Sequence, residues 1–394
     1  MRNLFIPWIV IVAMVIGGNA CERLDDSLDK HKDGDEELIL TSDVAIMLSN
    51  LSLGGEQLRE VHDAVSSSVG NGYDEEYTMS NLFKAPGTGV GDDTSDTKAE
   101  SRYECPLRGM IEQYVKSKFE TKSWTDDSVT ALKYIEALTK SGMQIYWPYS
   151  ENWDGKQLPV ITFDPDDNSD ANEGYSIAVD ANGERTVEKV IVNEQLAMER
   201  PVWVVNRNDD GRYSTLQVLR REDPNWGTGG GEISVASTLK VLLLKSIKMK
   251  RNYDTWFAGG SEFFIKCGSV EDFSASTEAE MKIYRPTITD FMVVIKRRQK
   301  GEEVPMNVVL VSDWTDQLES CAFLVVEDDG GTKTSWKCSA AVKIKSKSYG
   351  FDMSIPFNSS DDIVWRGQLS RRYLEKYNRI PGHFGDLDLT FSII

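Results

Sequence analysis

The chain has 394 residues, with 63 acidic against 44 basic side chains and a formal net charge of −19. That balance excludes a surface built for nucleic-acid phosphates or for electrostatic adhesion to anionic lipid, since both demand clustered Lys and Arg. The length implies two to three domains, each able to bury its own core, in a composition ordinary for globular proteins.

The N-terminus reads as an export signal. Arg2 supplies the positive charge and Leu4 to Ile16 an apolar run of 13 residues, interrupted by Pro7, before small residues. As a helix it spans about 20 Å, short of the roughly 30 Å hydrocarbon core, so residues 1–20 are expected to be removed rather than to span a membrane. Gly18-Asn19-Ala20-Cys21 resembles a bacterial lipobox, which implies acyl chains (palmitate) on Cys21 as the mature N-terminus. Gly18 stands where that motif has a large aliphatic residue, and Gly18 with Ala20 also suits ordinary signal peptidase cutting the same bond. With Cys21, residues 22–37 form an acidic, nearly apolar-free stretch, expected to be a disordered tether. The stretch is similar to the export tag of Bacteroidota lipoproteins. That resemblance implies an outer-membrane protein, lipid-anchored and facing the cell exterior, whose membrane contact is the N-terminal lipid.

Residues 38–84 carry short helical patterns. Ser42 caps a helix from Asp43 to about Leu51, Leu58, Val61, Ala64 and Val65 stripe a second, and Asp74-Glu75-Glu76 opens a third ending near Phe83. A Gly- and Asp-rich linker is expected over 85–101. The next domain, 102–221, begins with two amphipathic helices, one through Leu107, Ile111 and Phe119 and one through Val129, Leu132 and Leu138, with Thr125 or Asp126 as N-cap. Beyond Met143 the apolar period drops to two, and five strands are expected between Gln144 and Asn206, two of them joined by an Asn182-Gly183 hairpin turn. A Gly-rich linker, 222–232, precedes a domain at 233–394 with strands at short intervals. The expected fold class is α+β, mostly β: a small helical N-terminal piece, then a helix-plus-sheet domain and a C-terminal β-sandwich.

Gly259-Gly260-Ser261-Glu262-Phe263-Phe264-Ile265-Lys266 resembles the strand that opens the calcium-dependent phospholipid-binding β-sandwiches, and departs from their pattern at Glu262 and Phe263. The resemblance implies a sandwich, with Asp328, Asp329, Asp361 and Asp362 as acids available to loop ligation. Cys105, Cys267, Cys321 and Cys338 follow no zinc spacing. Up to two disulfides, with Cys321 and Cys338 the pair nearest in sequence, and free buried thiols both remain open.

Two local compositions suggest binding chemistry. Asp164 to Glu173 is the densest run of hard oxygen donors, and Asp164, Asp166, Asn168 and Asp170 are candidate Ca2+ ligands in a non-standard loop. An EF-hand is excluded by Ser169 where Gly is needed and Tyr175 where the bidentate acid belongs. The alternative is a solvated acidic loop between strands. Tyr146 to Asp154 holds four aromatics among polar acceptors, suited to stacking on a glycan or to a protein interface; the competing reading is core. Pro148 marks a strand end, so Tyr149 and Trp153 are the candidate ligand-binding residues, which Trp203, Trp226 and Trp256 would extend.

No catalytic motif is present. The histidines are His31, His62 and His383, no zinc-protease pattern occurs, and Pro381-Gly382-His383-Phe384-Gly385 reads as a turn. The expectation is therefore a lipid-anchored, surface-exposed binding or interaction protein with a glycan or protein ligand. The alternative is an extracellular glycan- or peptide-acting hydrolase using a carboxylate pair.

Overall fold

The computed structural model describes residues 39–84, 103–120, 127–180, 182–208, 213–224 and 240–394. Cys21 with its tether, the 85–101 linker, nearly all of 222–232 with Trp226, and the Thr125/Asp126 cap lie outside the described residues. The fold is α+β and sheet-rich toward the C-terminus, consistent with a sandwich there. Among the described residues no helix is long and apolar enough to cross a membrane. Among the described residues the chain forms two compact units, one from 39–61 with 79–206, the other from 62–78 with 207–394. The helical residues 39–84, expected as one piece, thus divide between the two units.

The first unit holds α1 (Thr41–Asn50), the start of α2 (Gly55–Gly70), α3 (Met79–Leu82), α4 (Leu107–Glu120) and α5 (Asp127–Lys140). Its sheet comprises β2 (Met143–Tyr146), β3 (Val160–Phe163), β4 (Ala171–Val179), β5 (Arg185–Asn193) and β6 (Val202–Arg207), in spatial order β2-β6-β3-β4-β5. β6 runs parallel to β3, whereas β3, β4 and β5 are successively antiparallel. The Asn182-Gly183 turn joins β4 to β5 with Gly183 at φ +83°, a conformation that costs glycine nothing. A short helix, α6 (Glu194–Glu199), capped by the Asn193 side chain on Leu196 N, carries the chain back to β6. α1 packs on β3 and β4, and Val44 to Leu48 are all buried, as a helix inside a core must be. At the N-terminus of α4 the Glu60 carboxylate accepts from Leu107 N at 2.6 Å, pairing an orphan donor with a negative charge.

The second unit ends in a two-sheet sandwich. One sheet has β10 (Val304–Trp314), β7 (Lys240–Met249), β16 (Leu387–Ile393) and β15 (Pro381–Phe384) in that order. The other has β13 (Lys347–Asn358), β12 (Lys333–Ile344), β11 (Leu318–Glu327), β8 (Ser261–Ser269) and β9 (Thr287–Ile295), with β14 (Asp362–Ser370) also paired to β11. Leu242, Leu244, Phe263, Ile265, Phe323 and Phe391 share the core between the sheets. On the second face of β8 and β11, Phe264, Leu324 and Val326 pack with Ile355 of β13. That double coverage leaves every residue of β8 buried, the polar Ser261, Glu262, Lys266 and Ser269 included.

Two local expectations change. Asp74 to Phe83 is not a helix: Glu76–Thr78 forms strand β1 and only the one-turn α3 follows. The three acids are buried, and Asp74 and Glu75 are drawn into tertiary contacts described below, which override a weak local propensity. The run before the last strand is itself a strand, β15, at a sheet edge where Pro381 removes no needed donor. The turn falls one step later, at Gly385 with φ +63°.

Candidate functional site

Antiparallel pairing of β8 with β11 sets Val326 opposite Phe264 and Glu327 opposite Phe263, which brings the start of one strand beside the end of the other. Glu262 and Glu327 therefore meet, and Asp328 N donates to the Glu262 carbonyl at 3.0 Å to close the ladder. Asp254 joins them from the β7–β8 loop, its carbonyl held by Arg297 Nη1 at 2.8 Å. Ligand oxygens of Asp254, Glu262 and Glu327 all lie within 4.8 Å of one another, with both glutamates buried and Asp254 half-buried. At that spacing each ionised pair repels by roughly 3–4 kcal/mol for an effective dielectric of about 20. Hard oxygens held this close suit a divalent cation such as Ca2+ or Mg2+, whose charge cancels that repulsion.

The same end of the sandwich holds more buried acid. Asp74 Oδ2 accepts from Gly260 N at 2.7 Å, and a Cβ on the preceding Gly259, at φ +135°, would stand 2.6 Å from that oxygen. Glycine is required there because the carboxylate lies against the backbone. Neighbouring Glu75 pairs with Arg298 and with Lys296, whose Nζ is 3.8 Å away. Burial first, then Asp74, push the Glu75 carboxyl up to about 7, against the pull of the two cations.

Asp328 and Asp361 form a carboxyl pair. Asn358 Nδ2 donates to Asp328 Oδ1 at 3.1 Å and Asn358 N to Asp361 Oδ2 at 2.7 Å, so one residue orients both. Burial, with the Asp328 carboxyl alongside, raises Asp361 to about 6 despite the bond from Asn358 N. Burial and the charges of Asp362 and Asp328 also raise Asp329. A folded chain that keeps a proton the unfolded chain has released loses stability as pH rises. The Asp361 contribution is complete below its ordinary value of 3.8 and gone above about 6. Asp361→Asn, compared with the parent in EDTA by thermal midpoints across that window, is expected to flatten this decline and to be the more stable protein at pH 7. An unchanged slope would contradict the raised Asp361 carboxyl.

The candidates expected in the first unit are arranged differently. Asp164 Oδ1 accepts from Asp166 N at 3.0 Å and Asp167 Oδ1 from Ser169 N at 2.9 Å, while Asp166 and Asn168 have φ of 56° and 60°. These are turn-forming side chains. Among the described residues the acids whose oxygens converge are Asp254, Glu262 and Glu327, and Asp164, Asp166 and Asp170 are not part of that group. Tyr149 is half-buried at φ 58°, its hydroxyl donating to Glu194 at 2.9 Å. Trp153, also half-buried, donates from Nε1 to the Gln157 carbonyl at 3.1 Å and meets Trp147 edge-on at 5.4 Å. Trp147 and Trp203 are core, and Trp256 is buried in the other unit, so neither Trp203 nor Trp256 extends an aromatic platform.

Cys105, Cys267, Cys321 and Cys338 are free thiols, and burial beside Cys321 pushes the Cys267 thiol up. His383 Nδ1 contacts Asp388 and Lys250, a surface ion cluster. Sequence reading missed the carboxylate triad because its members are 8 and 65 residues apart, although a glutamate at the edge of each of two apolar strands was a visible signal. No protein-family model, curated protein or solved structure matches the chain.

Proposed function

We propose that this chain is a surface lipoprotein of the outer membrane, anchored by acyl chains on Cys21, that acts by binding a glycan or protein ligand. In this reading a divalent cation at Asp254, Glu262 and Glu327 ties the β7–β8 loop to the ends of β8 and β11. The observation that carries it is the convergence of three carboxylates within 4.8 Å at one end of the sandwich. The net charge of −19 keeps such a body soluble and apart from nucleic acid. Tyr149 and Trp153, both half-buried, remain candidate contacts for the ligand.

Cys21→Ser tests the anchor. It is expected to abolish palmitate labelling and to move the protein from the membrane pellet to the supernatant, because losing two or three acyl chains removes about 0.8 kcal/mol per buried CH₂. Retention in the pellet would refute the anchor. A second reading, an extracellular glycan- or peptide-acting hydrolase, is favoured by the Asp328–Asp361 pair, where one acid is raised to about 6 as a general acid requires. Hydrolysis of glycan or peptide substrates that Asp361→Asn abolishes would establish it over the binding reading.

A further inference from the structure

On the outer face of the four-stranded sheet the alternation of β7 breaks. Leu242 and Leu244 face the core, and so do Ile247 and Met249, a shift of one residue between 244 and 247. Pairing shows the cause: Thr390 sits opposite Ser246 and the next residue, Phe391, opposite Leu244, so Lys245 is extra on β7. The register against β10 slips at the same place, between Pro305 and Val308. Such bulges re-aim side chains, and here two consecutive residues, Lys245 and Ser246, line one groove, which regular alternation forbids.

The groove has a volume of about 410 Å³, and its other walls are Glu303, Pro305, Asn307, Arg379 and Thr390. Asn307 and Arg379 are both at positive φ, 55° and 61°, a conformation that asparagine adopts readily and arginine only where surrounding structure enforces it. Arg379 is fixed by its own N–H on the Phe391 carbonyl, 2.7 Å, and by Nε on Ser392 Oγ, 3.3 Å. Lys245 Nζ donates to the neutral Asn307 side chain. Glu303 accepts from Ser246 Oγ at 2.6 Å. Two cations against one acid give the groove a net positive charge on a chain of net −19.

We propose that this groove binds the sugar-acid residue of an acidic glycan. The guanidinium fork of Arg379 matches a carboxylate in geometry, Lys245 adds a second positive charge, and Ser246, Thr390, Asn307 and Glu303 offer donors and acceptors to ring hydroxyls. No aromatic ring lines the groove, so charge and hydrogen bonds carry recognition in place of stacking. This inference names a ligand class for the binding reading and rests on it, while using no residue of the carboxylate triad.

The test is titration of the full chain in detergent with glucuronate, galacturonate and N-acetylneuraminate, against glucose and galactose as neutral controls and inorganic phosphate as a bare anion. Acidic sugars are expected to bind and neutral sugars and phosphate to bind at least tenfold more weakly. Arg379→Asn, which suits the left-handed backbone, and Lys245→Met are each expected to weaken binding roughly 10- to 100-fold at unchanged thermal midpoint, with Arg379→Lys recovering little. Equal binding of neutral sugars, binding of phosphate alone, or variants that bind like the parent would overturn the groove assignment and leave the binding reading standing. Binding of no probe would also overturn it; the binding reading itself fails only if the chain retains no ligand on a broad glycan array and captures none at the cell surface.

Discussion

Trp203→Ala is expected to destabilise the first unit by about 3–5 kcal/mol, the range for emptying a large aromatic site in a core that relaxes only in part. Trp203 is fully buried in β6, paired with Ile161 across the parallel ladder, and its ring meets Trp147 edge-on at 5.8 Å. Nothing adjacent can collapse cheaply into the space, since Val202, Val204 and Val205 are buried with it. Two comparisons sharpen the result. Trp153→Ala removes a half-buried ring and its edge contact and is expected to cost only about 0.5–1.5 kcal/mol. Trp203→Phe should cost clearly less than the alanine variant, because Trp203 Nε1 is buried without a hydrogen-bond partner among the described residues and the phenyl ring removes that desolvated donor. Urea unfolding followed by far-ultraviolet circular dichroism measures all three; equal midpoints for Trp203→Ala and Trp153→Ala would contradict the assignment of Trp203 to the core.

Glu327→Gln and Glu262→Gln are expected to abolish cation-dependent stabilisation. In the parent protein, stripped with EDTA and returned to Ca2+, Mg2+ or Mn2+, free cation at 100 times its dissociation constant should add about 2.7 kcal/mol through preferential binding to the folded state. Either variant keeps the shape of the side chain and removes one charge, so the gain should fall close to zero. The chelated state discriminates further. Removing one of three carboxylates within 4.8 Å relieves repulsion, and each variant in EDTA should therefore be at least as stable as the parent. A parent whose midpoint ignores all three cations, or variants that lose stability in EDTA, would mean that the triad is a structural charge cluster.

The fold class was largely legible. Five strands are expected between Gln144 and Asn206 and five, β2 to β6, are observed there, and the Asn182-Gly183 turn lies where its chemistry requires. Strand β14 was illegible because Asp362 to Ser370 alternates weakly and carries a glycine, and its existence depends on pairing with β11. The acids at 74–76 read as a helix start, yet their burial beside Gly260, Lys296 and Arg298 turned the backbone elsewhere.

What the sequence by itself determined is local: the period of the strands and the turn residues, since each depends on neighbours a few positions apart. Asp328 and Asp361 were visible as loop acids, but only the tertiary structure made them a pair sharing the bonds of Asn358. It alone decided that Asp254, Glu262 and Glu327 converge, and that Lys245 and Arg379 share a groove, 134 positions apart in number. The physical reason is register: a one-residue bulge on β7 and an antiparallel pairing of β8 with β11 set which side chains meet, and neither is encoded in the spacing of residues along one strand.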